Sequence, residues 1–329
     1  MKRILVTGGA GYIGSVLLPK LLNKKYDVTV IDSLVYGQEG IEKLIKNKLI
    51  NFIHDDIRNI SQLDFITKKI DCVIHLAAVV GQPLCEKIPI AAQQINEFAT
   101  KKLVDICKKN NVKQFIFSST CSNYGSTTDL ANESSLLNPL GPYSEAKVNS
   151  EKYILQNKTD HFHPTVLRFA TAYGISPRMR FDLLLSELMR DAVINKKITI
   201  FGPQYWRPIV HVKDISDACI LALDSDHSLV SGEIFNVGSN DQNYKKIQLA
   251  EYIKKFIPET EIEIIENKKD PRNYRVSFDK IMTKLGFSTK VTIDEGISEI
   301  IYEVKNNGLD PQNSEFSNMS KLTEKIKPF

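Results

Sequence analysis

The feature that most constrains this chain is a run of glycines set between a strand and a helix. Thr7-Gly8-Gly9-Ala10-Gly11-Tyr12-Ile13-Gly14 follows the apolar run at residues 4–6 and opens a helical pattern at 12–22. It satisfies both Gly-x-x-Gly-x-x-Gly and Gly-x-Gly-x-x-Gly. Glycines permit a tight turn and a close approach of backbone to a pyrophosphate. The helix N-terminus adds free N–H groups and the positive end of a dipole. The motif alone is weak evidence, but its setting strengthens it: Asp32 ends the second strand-like run, at the spacing of a ribose-binding carboxylate. A carboxylate there repels a 2′-phosphate, so NAD is expected rather than NADP.

The same rhythm continues through the first half. Apolar runs at 4–6, 28–31, 50–53, 72–76 and 114–117 alternate with helical patterns at 12–22, 41–45 and 91–108. A further helix is expected over 142–156 and a strand over 165–169. Such alternation predicts an α/β fold, a Rossmann-type doubly wound parallel sheet covered on both faces. After residue 174 the rhythm changes, with helices expected at 181–195, 244–256 and 293–305 and short strands at 198–201 and 235–237. We therefore expect a dinucleotide domain at 1–174, to which 207–237 returns. A smaller interleaved C-terminal α/β substrate domain is expected from 175–206 and 238–305, and a polar tail at 306–329.

Composition excludes several classes. A net charge of +4 over 329 residues, with no Lys/Arg run, gives no nucleic-acid footprint, though it suits an anionic substrate. No apolar stretch reaches the length of a membrane span. Lys2-Arg3 leads straight into the first strand, which is expected of a chain without a secretory leader. The five cysteines form no C-x-x-C pair, so neither a disulfide framework nor a zinc site is expected, and a reducing cytoplasm is the natural setting. His75 and His211 read as structural histidines, and no metal site is expected.

The chemistry is expected at Tyr143-Ser144-Glu145-Ala146-Lys147. Four residues apart on a helix, Tyr143 and Lys147 share a face. A neighbouring ammonium lowers a phenol's pKa, making Tyr143 a general base. Upstream, Ser118-Ser119-Thr120-Cys121-Ser122 follows the fifth strand, where ligands bind in such sheets, and Thr120 offers a hydroxyl to the proton path.

Together these residues resemble the extended short-chain dehydrogenase/reductase family, whose nucleotide-sugar members include 4-epimerases, 4,6-dehydratases and reductases. The resemblance runs to about residue 301 and adds Asp56-Ile57-Arg58, Leu76-Ala77-Ala78, Asn96 and the segment from Arg207 to Asp214. It implies that Gly8, Gly11, Tyr12, Ile13, Gly14, Asp32, Ser33 and Leu34 hold the cofactor. Asp56 and Ile57 would lie against adenine; Leu76, Ala77, Ala78, Asn96 and Ser118 would serve the cofactor cleft. Lys147 and Tyr143 would reach the nicotinamide ribose. Thr120 takes the family's catalytic hydroxyl position, and Arg207 and Arg272 match arginines that hold a substrate diphosphate. Ser122, Thr171, Arg178 and Arg180 fall at substrate-facing positions.

Departures narrow the activity. Where dehydratases carry an Asp-Glu pair after the catalytic Thr, this chain has Cys121 and Ser122. The acid that protonates a leaving 6-hydroxyl is then missing. Cys121 itself reads as a small buried hydrophobe. Ala170-Thr171 stands where many members carry Asn, and the segments 79–85 and 176–180 are similar to a sub-branch that includes a GDP-heptose 4-dehydrogenase. The expected activity is hydride transfer at C4 of a nucleoside-diphosphate sugar, as a 4-epimerase or 4-dehydrogenase. Two alternatives stand beside it. A reductase is disfavoured by Asp32, and a non-catalytic dinucleotide-binding regulator is disfavoured by retention of Thr120, Tyr143 and Lys147. The resemblance also implies a homodimer pairing the helices at 91–108 and 142–156, with Ile95, Leu103, Val104, Tyr153 and Ile154 as candidate apolar faces.

Overall fold

In a computed structural model, which describes residues 1–265, 272–321, 326 and 328, the alternating runs become one parallel sheet. Its strands are β1 (Arg3–Thr7), β2 (Asp27–Asp32), β3 (Asn51–His54), β4 (Cys72–His75), β5 (Gln114–Thr120), β6 (His163–Phe169) and β7 (Glu233–Val237). Their spatial order is β7-β6-β5-β4-β1-β2-β3, with every neighbouring pair parallel. The order reverses at β1, and the crevice beyond the strand ends opens there.

The continuous apolar runs have a plain cause. Side chains alternate across a strand, so a sheet covered on both faces needs apolar residues at every position. Ile4 and Val6 pack into one buried cluster with Val28, Val30 and Ile74. Leu5 points the other way, into a second cluster with Ile31, Val73 and Phe115. A third core, built from Leu185, Met189, Ile198, Leu249 and Ile297, belongs to the smaller lobe. Asp270 and Pro271, next to Arg272, and part of the polar tail (322–325, 327 and 329) lie outside the described residues.

Some elements differ from the sequence expectation. The single helix expected over 91–108 is divided: Pro89–Gln93 is α-helical, Gln94–Ala99 widens into a π-helical turn, and Thr100–Lys109 is α-helical again. Polar demands at the wide turn explain the change. Asn96 spends its side chain on Val79, while its carbonyl accepts Thr100 Oγ1 at 3.0 Å and Ser150 Oγ at 2.9 Å. A short strand also forms just after the one ending at Phe169. Thr171–Tyr173 pairs in parallel with Trp206–His211, which carries Thr171 and Arg207 to the mouth of the crevice.

His75 and His211 are satisfied within the fold. His75 sits between Thr7 Oγ1 at 2.6 Å and Thr100 Oγ1 at 2.9 Å, and burial pushes its pKa down to about 3. His211 pairs with Glu299 and accepts the Lys213 N–H. Among the described residues no cluster of His, Cys, Asp or Glu is suited to a metal, and no helix is long and apolar enough to cross a membrane.

Candidate active site

The crevice is a cleft of about 940 Å³ running from the glycine turn to the smaller lobe. Gly8 has φ +73°, and a Cβ there would meet Ala77 N at 2.6 Å, so the turn and the end of β4 touch through backbone. A Cβ on Gly14 would meet Gly9 O at 2.5 Å, which lets the helix Gly14–Asn23 start directly on the turn. Asp32 closes this end. Its carboxylate accepts N–H groups from Ala10 at 3.0 Å and Leu34 at 2.9 Å. Burial raises its pKa, and those backbone bonds oppose the rise. A glycine cradle bounded by a fixed carboxylate fits a dinucleotide, with Asp32 turned to a ribose.

Almost all expected site residues line this one cleft. Gly8, Gly11, Tyr12, Ile13, Gly14, Asp32, Ser33, Asp56, Ile57, Leu76, Ala77, Ala78 and Ser118 do so from the sheet ends, and Thr120, Ser122, Tyr143 and Lys147 from its middle. Thr171, Arg178, Arg180, Arg207 and Arg272 line the remainder. Leu34 and Asn96 stand outside the lining. Leu34 turns back at φ +52° and packs its side chain on the core, contributing its N–H to Asp32. Asn96 is 1% exposed and braces the loop beneath Val79, accepting its N–H at 2.7 Å and donating to its carbonyl at 2.9 Å.

At the centre, Lys147 is buried and donates from Nζ to the Ser118 carbonyl at 2.7 Å, with the Phe117 ring 4.6 Å away. Burial pushes its ammonium group down to about 8, against attraction from Glu151. Tyr143, expected to have a lowered pKa, is instead pushed up, first by burial and then by Cys85, with Arg180 opposing. The cation that offsets this rise is Arg180, not Lys147. Thr120 Oγ1 caps the turn at Cys121–Tyr124, accepting the Ser122 N–H at 3.1 Å and donating to Ser122 Oγ at 3.1 Å. Cys121 faces the core, its thiol against the Arg168 carbonyl at 3.2 Å, and burial raises its pKa. It is the buried hydrophobe expected.

A polar knot behind this turn was not visible in the sequence. Arg168 and Glu151 form a buried pair at 2.6 Å; Ser119 and Asn123 also donate to Glu151, and Arg168 reaches Tyr124 OH at 3.0 Å. No local motif marks these partners, which lie far apart in the chain. In the smaller lobe, Arg207 is 3% exposed, donates to the carbonyls of Trp206 and Arg272, and lies 5.5 Å over the Tyr274 ring. Arg180 is fixed side-on by Asp182, with bonds of 2.9 and 3.1 Å. Tyr36, Asp182, Tyr274 and Asn318 also line the cleft and were missed. Only Tyr274 had a signal: it lies two residues from Arg272 at the start of a strand, hence on the same face.

The family model for the NAD dependent epimerase/dehydratase family matches residues 4–238. The chain belongs to that family. A putative UDP-glucose 4-epimerase of Methanocaldococcus jannaschii is 29% identical over 92% of this chain and 99% of its own length. The human dTDP-D-glucose 4,6-dehydratase is also 29% identical, over 100% of this chain and 95% of its own. Among solved structures, the UDP-glucuronic acid 4-epimerase of Bacillus cereus, in complex with UDP-glucuronic acid and NAD, has a TM-score of 0.82 and 28% identity, covering 90% of this chain and 97% of that one. The chain is therefore an NAD-dependent enzyme of the epimerase/dehydratase family on the extended short-chain dehydrogenase/reductase fold.

Proposed function

We propose that this enzyme oxidises C4 of a nucleoside-diphosphate sugar, acting as a 4-epimerase or 4-dehydrogenase. One observation carries the reading: Thr120, Tyr143 and Lys147 line a single cleft together with the glycine turn and the arginines 207 and 272. A substrate held there by its diphosphate presents its sugar to Tyr143. Guanidinium forks suit that diphosphate. Tyr143, as the phenolate, takes the C4 hydroxyl proton, with Thr120 and Ser122 orienting the hydroxyl; burial disfavours that form in the cofactor-free chain, and the positive charge of a bound nicotinamide would favour it. Bound NAD supplies the acceptor for the C4 hydride. The sugar is left with a C4 ketone, two electrons and one proton poorer in C–H and one proton poorer at oxygen.

Lys147 holds the strand backbone beside Tyr143 and reaches toward the cofactor ribose. Neither Cys121 nor Ser122 supplies the carboxylic acid that elimination of a 6-hydroxyl requires, which favours oxidation or epimerisation over dehydration. The test is a screen of UDP-, GDP-, CDP- and dTDP-linked sugars with NAD, followed by NMR of the products. An inverted C4 or an accumulating 4-ketone supports the reading. Equal turnover of free sugars overturns the diphosphate role.

We also propose a homodimer. Ile95, Leu103, Val104 and Ile154 are spent on the chain's own core, but Ile90 and Phe98 on the same helical segment are 63% and 49% exposed. A monomeric mass by light scattering at micromolar protein would refute it.

A further inference from the structure

We propose that Arg178, carried on the loop leading into the smaller lobe, is a ligand for the adenosine-side phosphate of bound NAD. Its place in the segment 176–180 implied a substrate role, but its neighbours belong to the cofactor half. The loop that carries it is fastened to the glycine turn. Tyr12 OH donates to the Gly174 carbonyl at 2.7 Å, and Ser176 Oγ donates to the Tyr12 carbonyl at 2.7 Å. Ser15 Oγ and Ser176 Oγ lie 2.8 Å apart, and the Arg178 N–H is shared between them at 3.4 and 3.3 Å. Gly40 leaves room for the stem: a Cβ there would meet Arg178 Cβ at 3.0 Å and Ser15 Cβ at 3.2 Å. The guanidinium lies 4.4 Å over the Tyr36 ring, in the segment that follows Asp32.

The head group is built for an anion it does not find within the chain. Arg178 is 5% exposed and lines the cleft. Its Nη1 donates to the Met179 carbonyl at 3.2 Å, while Nε and Nη2 have no partner among the described residues. Those two donors form the side-on fork that matches two oxygens of a phosphate. Buried donors left unpaired are costly, and so is a buried guanidinium without an anion. The contrast is Arg180, two residues on, whose side-on fork is filled by Asp182. Asp32 attracts the guanidinium but does not fill its fork: its oxygens take N–H groups from Ala10 and Leu34, and Nε and Nη2 of Arg178 stay without a hydrogen-bond partner. With Asp32 facing the ribose and the glycine turn facing the pyrophosphate, the anion next to both is the adenosine-side phosphate. Burial, reinforced by Arg180 and only partly opposed by Tyr36, Asp182 and Asp32, pushes the guanidinium down to about 10, which leaves room for a further counter-charge from a ligand.

A phosphate can come from the cofactor or from the substrate diphosphate, and calorimetry on cofactor-free protein separates them. Arg178→Met keeps the stem over Tyr36 and removes the fork. Affinity for NAD and for ADP-ribose is expected to fall about 10- to 100-fold, with adenosine and the nucleoside diphosphates UDP, GDP, CDP and dTDP unchanged. Wild-type affinity for NAD overturns the proposal. So does an equal loss with adenosine, which would move the contact off the phosphate, or a loss confined to a nucleoside diphosphate, which would return Arg178 to the substrate. Should the Met variant lack a cooperative melt, Arg178→Lys keeps the charge without the fork. It is expected to lose about 3- to 30-fold for NAD, and wild-type NAD affinity in that variant overturns the proposal equally.

Discussion

The two ends of the cleft are built in opposite ways. At the cofactor end, the glycine turn, Asp32, Asp56-Ile57 and Leu76-Ala77-Ala78 sit at or just past the ends of neighbouring strands of one sheet. The sheet register places them together. At the proposed substrate end, Thr171, Arg180, Arg207 and Arg272 come from short strands and loops outside that sheet, with Thr171 joined to the strand of Arg207 by a short ladder and Arg207 to the Arg272 carbonyl. The difference separates two demands. Chemistry and cofactor binding need a rigid frame, while substrate choice is carried by parts that can change without disturbing the sheet.

The junction between the ends should be sensitive in rate alone. Tyr143→Phe removes the proposed proton acceptor and little else. Turnover of the sugar substrate is expected to fall ~10²–10⁴-fold, with NAD and substrate affinities held within about twofold. Binding by calorimetry beside single-turnover rates checks this. A large loss of either affinity would show that the phenol belongs to one end and not to the junction.

The frame itself is tested at the buried pair. Glu151→Ala strips Arg168 of its carboxylate partner in a site where both side chains are 2–3% exposed. Leaving a buried guanidinium unpaired is expected to cost about 3–5 kcal/mol of folding stability, read from urea unfolding. A small change would mean that β5 and β6 hold the catalytic turn without this knot.

That contrast also explains what the sequence revealed. The glycine turn, Asp32 and the Tyr143/Lys147 pair are local patterns, each imposed by one turn, one strand end or one helical repeat. The parallel sheet follows from apolar runs that admit no solvent face. Glu151 with Arg168, and Tyr36 beneath Arg178, depend on chain segments meeting across the fold, so no short-range pattern announces them. Arg178 and Arg180 were legible as cleft residues, but not which end each serves. Two residues of one loop point to different partners, and only packing against Ser15, Gly40 and Asp182 decides that. The π-helical turn at Gln94–Ala99 was hidden for the same reason, since Asn96 reaches Val79 across the sheet end.

Lys147 sharpens the comparison through pH. Its pKa falls from 10.5 to about 8 in the fold because the ammonium is buried. Between those values the folded chain binds fewer protons than the unfolded chain, so stability rises with pH. The contribution is fully present above 10.5 and is lost as pH falls through about 8. Relative to Lys147→Met, cofactor-free wild-type protein is expected to gain about 2–3 kcal/mol between pH 8 and pH 10, measured by urea unfolding at each pH. A flat difference would mean that the ammonium keeps its charge at an ordinary pKa.

The smallest effect tests the substrate end itself. Arg207 is buried, its guanidinium anchored through Nη1 to two backbone carbonyls and laid over Tyr274. That anchoring fixes the fork before a ligand arrives, so little rotamer freedom is lost on binding. Arg207→Ala removes the proposed charge-assisted contact to the substrate diphosphate, expected to weaken nucleotide-sugar binding by ~1.5–3 kcal/mol, or about 10- to 150-fold. Because Arg207 lies on the strand Trp206–His211, which pairs outside the seven-stranded sheet, NAD affinity should stay within about twofold. Isothermal titration with each ligand separates the two. Equal losses for NAD and the nucleotide sugar would dissolve the division between the ends. A loss confined to the sugar nucleotide, set against a loss confined to NAD in Arg178→Met, would establish it with two arginines lining one cleft.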